Sequence, residues 1–213
     1  MTHRSILAAL LAALAAPALS QAAVTPAPAA ARAPATTSAP APKADLVRIA
    51  IDTDKGRIVV ALNRGRAPLT VANFLAYVDK GWLNGQPFYR AMAFGGGGLI
   101  QGGVRDGARQ LPPIVIERST DTGLKNVAGA IVMANNGGKT TRSDFFILTA
   151  DIPSLDATAT APGFAPFGTV IEGMDVVKAI LAAPRSPTKG EGVMKGQMLD
   201  PVVKIVKVVR VKG

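Results

Sequence analysis

The sequence predicts a mainly β domain, a barrel of strands plugged by two helices. Short apolar runs with a period of two, broken by Gly, Pro, Asn and Asp, fill most of the chain. Two segments, one early and one late, instead carry apolar residues at helical spacing. The chain has 213 residues, 48% of them hydrophobic and only 5% aromatic, so it can bury one sizeable core built mostly from aliphatics. Many strands with two helices suit a plugged barrel, although periodicity alone does not set the strand order.

The folded domain is expected over 45–213. Leu46–Ile51 alternates like a strand, Asp52–Gly56 reads as a turn, and Arg57–Leu62 is the return strand of a hairpin. Pro68 opens the first helix, where its missing N–H does no harm. Val71, Phe74, Leu75 and Val78 recur on one face, and Gly81 stops the helix. Ala128–Ala134 and Asp144–Thr149 read as buried strands, with Phe145 facing the core and Phe146 facing out. The second helix is expected from about Gly173 to Ala183, with Met174, Val177, Ile180 and Leu181 inward. Val202–Val211 is the last strand, with Val203, Ile205, Val209 and Val211 on one face interrupted by Lys207.

Ahead of the domain, residues 1–22 read as a signal peptide. His3 and Arg4 give a basic start, Ile6–Leu14 an apolar stretch, and Ala18, Ser20 and Ala22 offer two cleavage sites. The apolar run before Pro17 is shorter than the roughly 20 residues that a bilayer span needs. Residues 23–44 are rich in Ala, Pro, Thr and Ser. With no large apolar side chain before Leu46 to offset ordering entropy, they read as a disordered linker. The expected location is therefore the periplasm, with no membrane span in the mature chain.

Composition excludes several chemistries. There is no Cys, so disulfides, thiol nucleophiles and Cys-ligated zinc are ruled out. The single His is His3, which cleavage removes, and with it any Ser-His-Asp triad or His-held metal. No metal or other cofactor is expected. The net charge of +10, from 24 basic and 14 acidic residues, is scattered without a basic run, and no nucleic acid partner is expected. Gly137-Gly138-Lys139-Thr140 ends like a phosphate loop, but the glycine such a loop needs would fall on Met133.

Two blocks carry a family resemblance. Phe88-Tyr89-Arg90, followed by Leu99-Ile100-Gln101-Gly102-Gly103, resembles the cyclophilin segment in which a Phe-His-Arg-like triplet leads to an apolar pair and Gln-Gly-Gly. Met133-Ala134-Asn135-Asn136-Gly137, running on to Ser143-Asp144-Phe145-Phe146-Ile147, resembles the family's Met-Ala-Asn-Ala-Gly stretch before Ser-Gln-Phe-Phe-Ile. Ala67-Pro68 with Thr70–Phe74, Leu155-Asp156 and Phe167–Val177 add matches in the right order. The resemblance implies a closed eight-stranded antiparallel β-barrel capped by two α-helices. It implies peptidyl-prolyl cis–trans isomerisation of proline-containing polypeptides, without a cofactor, by a monomer. It places Arg90 and Gln101 as catalytic residues. Leu99, Ala134, Asn135, Asp144, Phe146, Leu155 and Phe164 fall on substrate-binding positions of the groove.

The chemistry suits those residues. An X–Pro bond resists rotation with a barrier of about 18–20 kcal/mol. In the twisted transition state the prolyl nitrogen regains its lone pair, and a donor aimed there favours that state. Arginine is always charged and carries five donors in a fixed plane.

Departures from the family lie around the groove. The connection from Arg90 to Gln101 is longer than usual and contains the four glycines Gly95–Gly98. Gly98 falls where the family has a groove phenylalanine, and Phe94 is the nearest aromatic that could replace it as a substrate-binding residue. With nothing to restrict φ, the glycines are expected to be mobile. Asp144 replaces the usual Gln, Phe164 stands where the family often has His or Tyr, and the lengthened stretch 157–163 has no Trp. The leading function is an isomerase acting in the folding of exported proteins. The alternative is a weakly active or inactive cyclophilin-fold chaperone or scaffold that holds proline peptides.

Overall fold

The structure is a computed structural model that describes residues 45–135 and 137–212. The expected signal peptide and linker lie outside the described residues. In chain order the elements are β1 (Leu46–Thr53), β2 (Gly56–Asn63), α1 (Pro68–Asp79), β3 (Pro87–Phe94), β4 (Gly97–Gly102), β5 (Ile114–Val115), α2 (Ser119–Thr122), β6 (Ala130–Met133), β7 (Thr140–Thr141), β8 (Phe145–Leu148), β9 (Ala165–Glu172), α3 (Met174–Leu181) and β10 (Met198–Arg210).

Eight strands close into an antiparallel barrel in the order β1, β10, β3, β4, β8, β6, β9, β2, and β2 returns to β1. β5 and β7 form a small separate ladder. Ile49, Ile51, Ile58, Val60, Leu62, Phe88, Ile100, Ile131, Phe145 and Ile147 fill the interior. Closing the sheet leaves no strand edge open, and the two longer helices cover the ends. α1 inserts Phe74 between Phe145 and Phe167, with ring centroids 5.2 Å from each. α3 buries Val177 and Ile180, while Met174 and Leu181 pack against the core from its rim. No helix among the described residues is long and apolar enough to cross a membrane.

Two expectations are corrected. The last strand starts earlier, at Met198, and its inward residues are Val203, Ile205 and Val208. Its register against β1 shifts by one residue, pairing Thr53 with Ile205 and Asp52 with Lys207. That bulge turns both Val206 and Lys207 outward, so Lys207 does not interrupt the buried face and Val209 and Val211 do not share it. The glycine run is also not an open loop. Gly95 and Gly96, at φ +54° and +80°, form a two-residue turn, and Gly97 and Gly98 belong to β4, paired with Phe94 and Ala93. Glycine takes positive φ without steric cost, which makes this a tight hairpin.

Candidate functional site

Strand alternation builds the site on the outer face of the barrel. In β8 Phe145 points inward and Phe146 outward. In β6 Ile131 and Met133 point inward, Ala130 and Val132 outward. In β4 Ile100 is inward and Leu99 outward. β3 would break this order, because Phe88 and Ala91 are both inward with two residues between them. A register shift between Phe88 and Arg90 resolves it: Phe88 pairs with Gly102 and Arg90 with Gln101. The bulge puts Tyr89 and Arg90 together on the outer side.

Adjacent strands then align the side chains in rows. Arg90, Gln101, Phe146 and Val132 are consecutive cross-strand partners over β3, β4, β8 and β6. Met92, Leu99 and Leu148 form the next row. Leu99, Val132, Phe146, Leu148 and Ile152 make an apolar cluster, with Met92, Ala134, Leu155 and Phe164 partly buried against it. The Phe146 and Phe164 rings meet edge-to-face at 5.4 Å. The connection between β8 and β9 is tied down by two bonds: Phe164 N–H donates to the Leu155 carbonyl at 2.9 Å, and the Asn135 amide donates to the Gly163 carbonyl at 2.8 Å.

The polar end is organised around Arg90. Its Nη1 donates to the Gln101 Oε1 at 2.8 Å and its Nε to the Gln197 Oε1 at 2.8 Å. Among the described residues Nη2 reaches only the Met92 sulfur, at 3.5 Å. Burial pushes the Arg90 pKa down, but the ordinary value is so high that the side chain stays charged. Beyond Gln101 lies a second polar group. The Tyr89 hydroxyl donates to Asp144 at 2.7 Å, and the Arg105 guanidinium stacks over the Tyr89 ring at 4.5 Å and lies 3.8 Å from Asp144. Burial, and then the Asp144 charge, push the Tyr89 pKa up, so the phenol stays protonated and remains a donor. Burial also raises the Asp144 pKa, against the lowering effects of Tyr89, Arg105 and Gln101. Arg105 and Asp144 line a polar hollow of about 470 Å³, bounded also by Gln101, Ala134, Asn135 and Arg142.

The structure thus brings Arg90, Gln101, Leu99, Ala134, Asn135, Asp144, Phe146, Leu155 and Phe164 to one continuous surface. It does not bring Phe94 there. Phe94 ends β3 beside the turn, is 45% exposed and lies outside the apolar cluster. Met92 stands in its place: it shares the face of Arg90 and pairs with Leu99, whereas Phe94, on the same face, lies one pair further along, against Gly97. That signal was available in the sequence. Gln197 carried none, since it lies 107 residues from the arginine it holds.

An arginine held by two neutral amide oxygens at the edge of an apolar groove can aim its remaining donors at a peptide lying in that groove. The family described as Cyclophilin type peptidyl-prolyl cis-trans isomerase/CLD matches residues 46–210. The chain belongs to this family. As a cyclophilin-type protein it is a peptidyl-prolyl cis–trans isomerase. It is 36% identical over 148 residues to peptidyl-prolyl cis-trans isomerase cyp18 of Streptomyces antibioticus, covering 67% of this chain and 87% of that one. Against peptidyl-prolyl cis-trans isomerase A of Dickeya dadantii the identity is 36% over 135 residues, 62% of this chain and 70% of the relative. The fold matches a crystal structure of a Cryptosporidium parvum cyclophilin type peptidyl-prolyl cis-trans isomerase with a TM-score of 0.65 at 21% identity, covering 79% of this chain and 99% of that one. The same parasite protein solved in the presence of the dipeptide Ala-Pro gives a TM-score of 0.63 at 21% identity, over 78% of this chain and 99% of that one. Within this cyclophilin barrel the glycine hairpin has a steric reason. A Cβ on Gly98, at φ +153°, would lie 2.0 Å from the Met92 carbonyl oxygen, so the family's phenylalanine has no room there.

Proposed function

We propose that the outer-face groove binds proline-containing segments of polypeptides and that Arg90 is the catalytic residue for rotation about the X–Pro bond. The observation that carries this reading is the Arg90 guanidinium, half-buried and held by two neutral amide oxygens, at the edge of an apolar cluster that can take a proline ring. Neutral acceptors orient the charge without cancelling it. A donor aimed at the prolyl nitrogen stabilises the pyramidal nitrogen of the twisted state and does little for the planar one. Phe146, Leu99, Met92, Leu155 and Phe164 would grip the ring. Gln101 and the segment of Ala134 and Asn135 would hold the flanking amides. An isomerisation assay on an X–Pro peptide, with Arg90→Ala beside the wild type, tests this. Equal rates for the two would refute it.

The proposed place of work is the periplasm, in the folding of exported proteins. This rests on the sequence of residues 1–22: a basic start, a short apolar stretch and small-residue cleavage sites. Slow X–Pro isomerisation limits folding over tens of seconds or more, which gives an exported isomerase a task. Intact-mass measurement on periplasmic extract should find the chain starting near Gln21 or Ala23. A retained Met1 on membrane-bound material would overturn the assignment.

A further inference from the structure

We infer that Gln197 is a positioning residue for isomerisation, fixing the plane in which Arg90 presents its free donors to the groove. The inference rests on the reading of Arg90 as the catalytic arginine. Gln197 closes the segment that leads into β10, and its side-chain oxygen accepts the Arg90 Nε–H at 2.8 Å.

Three observations show that this contact is built from both sides. First, the Gln197 amide is oriented. Its Nε2 donates to the Val193 carbonyl at 2.7 Å, which leaves Oε1 to face the guanidinium. A flipped amide would set donor against donor at Arg90 and acceptor against acceptor at Val193. Second, the backbone of Gln197 is fixed to the arginine's own strand. Ala91 N–H donates to the Gln197 carbonyl at 2.9 Å, and Met198 is the cross-strand partner of Arg90. Gln197 N–H also donates to the Met194 carbonyl at 3.1 Å, which shapes the turn that carries it. Third, Arg90 has no carboxylate partner among the described residues, and its two strong acceptors flank it, Gln101 on β4 and Gln197 on the segment that enters β10, the strands on either side of β3. Among the described residues Nη2 touches only a sulfur, a weak acceptor, so the donors left for substrate are those that these two amides do not hold.

A long side chain held at one point can swing about its last bonds; held at two points from opposite sides it cannot. Gln101 alone leaves the guanidinium free to rotate about its contact, and Gln197 removes that freedom. Because small misplacement of a reacting group costs large factors in rate, losing Gln197 should act on kcat more than on peptide binding.

The test uses the full chain with Gln197→Leu and, as a second variant, Gln197→Met, both lacking the acceptor while keeping similar bulk. The measurements are kcat and KM on an X–Pro peptide, thermal midpoint, and solvent exchange of the Arg90 Nε–H by nitrogen-15 NMR. The expected result is a fall in kcat of about tenfold, the scale of one hydrogen bond to a charged group. KM should stay within about twofold, the midpoint should hold, and Nε–H exchange should accelerate. Wild-type kcat in both variants, with Arg90→Ala inactive, overturns the role of Gln197 and leaves that of Arg90 standing. A kcat loss without faster Nε–H exchange also overturns it. Wild-type activity in Arg90→Ala overturns both.

Discussion

Arg90 and Gln101 face each other across β3 and β4, and the Arg90 Nη1 donates to the Gln101 side-chain oxygen at 2.8 Å. The pairing depends on one extra residue. Without the bulge at Tyr89, strict alternation from Phe88 would aim Arg90 into the barrel, where an unpaired charge is prohibitive. With it, the guanidinium lies half-buried on the outer face, dry enough on one side to strengthen its field and open enough to meet a peptide.

Arg90→Ala should lower kcat/KM by about 10²-fold or more, the scale of losing one preorganised donor at a developing lone pair. Arg90→Lys should also be poor, because an ammonium cannot hold the Gln101 and Gln197 oxygens in the geometry of a planar guanidinium. Thermal midpoints should change little, since Arg90 sits half-buried on the outer face and truncating it lets water reach the Gln101 oxygen it leaves. Peptide isomerisation kinetics and thermal unfolding check both variants.

Met92 and Phe94 make opposite predictions. Met92 packs on the apolar cluster with Leu99 and Phe146, so Met92→Ala removes part of the groove wall and should raise KM severalfold. Phe94 is 45% exposed beside the turn, so Phe94→Ala should leave peptide affinity unchanged. Titration of an X–Pro peptide into each variant decides. A selective loss in Phe94→Ala would mean that the hairpin folds over the groove when peptide binds.

Most of the barrel was legible in the sequence because strand alternation and family motifs agreed. The Phe145/Phe146 pair split between core and groove as a period of two requires. The failures have local causes. The bulge in β10 puts two successive residues, Val206 and Lys207, outside, and nothing in a run of aliphatics broken by Lys204, Lys207 and Arg210 announces where a ladder slips. Entropy alone makes the glycine run look mobile, whereas Gly95 and Gly96 supply the positive φ of a two-residue turn and Gly97 and Gly98 continue the ladder. Tyr89, Arg105 and Asp144 converge from three segments, and no linear spacing reports such a meeting.

Asp144 should make stability depend on pH. Burial raises its pKa in the folded state, so over a window above the ordinary carboxylate value the folded chain binds more protons than the unfolded one. This contribution favours the folded state fully below the unfolded value and is lost as pH rises through the raised folded value. Asp144→Asn keeps an acceptor for the Tyr89 hydroxyl without the charge, and should melt higher than wild type at pH 7. The difference should shrink as pH falls through the acidic range and vanish where Asp144 is protonated in both states. A variant less stable than wild type at pH 7 would show that Arg105, 3.8 Å away, outweighs desolvation.

Gly98 is the residue on which the hairpin geometry depends. Its φ of +153° lies where side chains rarely go, and a Cβ there would meet the Met92 carbonyl oxygen at 2.0 Å and the Ala93 Cα at 2.9 Å. Both obstacles are backbone of the paired strand, so no rotamer change relieves them. The Gly98 carbonyl also accepts from the Thr149 N–H at 2.9 Å and hydroxyl at 3.2 Å, which anchors β4 to the end of β8 and resists a shift of the strand. Gly98→Ala should therefore cost about 2–4 kcal/mol from strain and displaced backbone. In a domain of this size that lowers the melting midpoint by about 4–16 °C. Gly98→Phe should be at least as harmful and should not restore a groove wall. Gly96 provides the contrast. It too has positive φ, +80°, but a Cβ there meets nothing within 4 Å. Asn tolerates the left-handed region, so Gly96→Asn should cost less than about 1 kcal/mol. Thermal unfolding of the three variants separates strain in open space from strain against a neighbouring strand. If Gly98→Ala melts with the wild type, the β3–β4 register differs from Phe94 paired with Gly97, and the placement of Met92 on the groove falls with it.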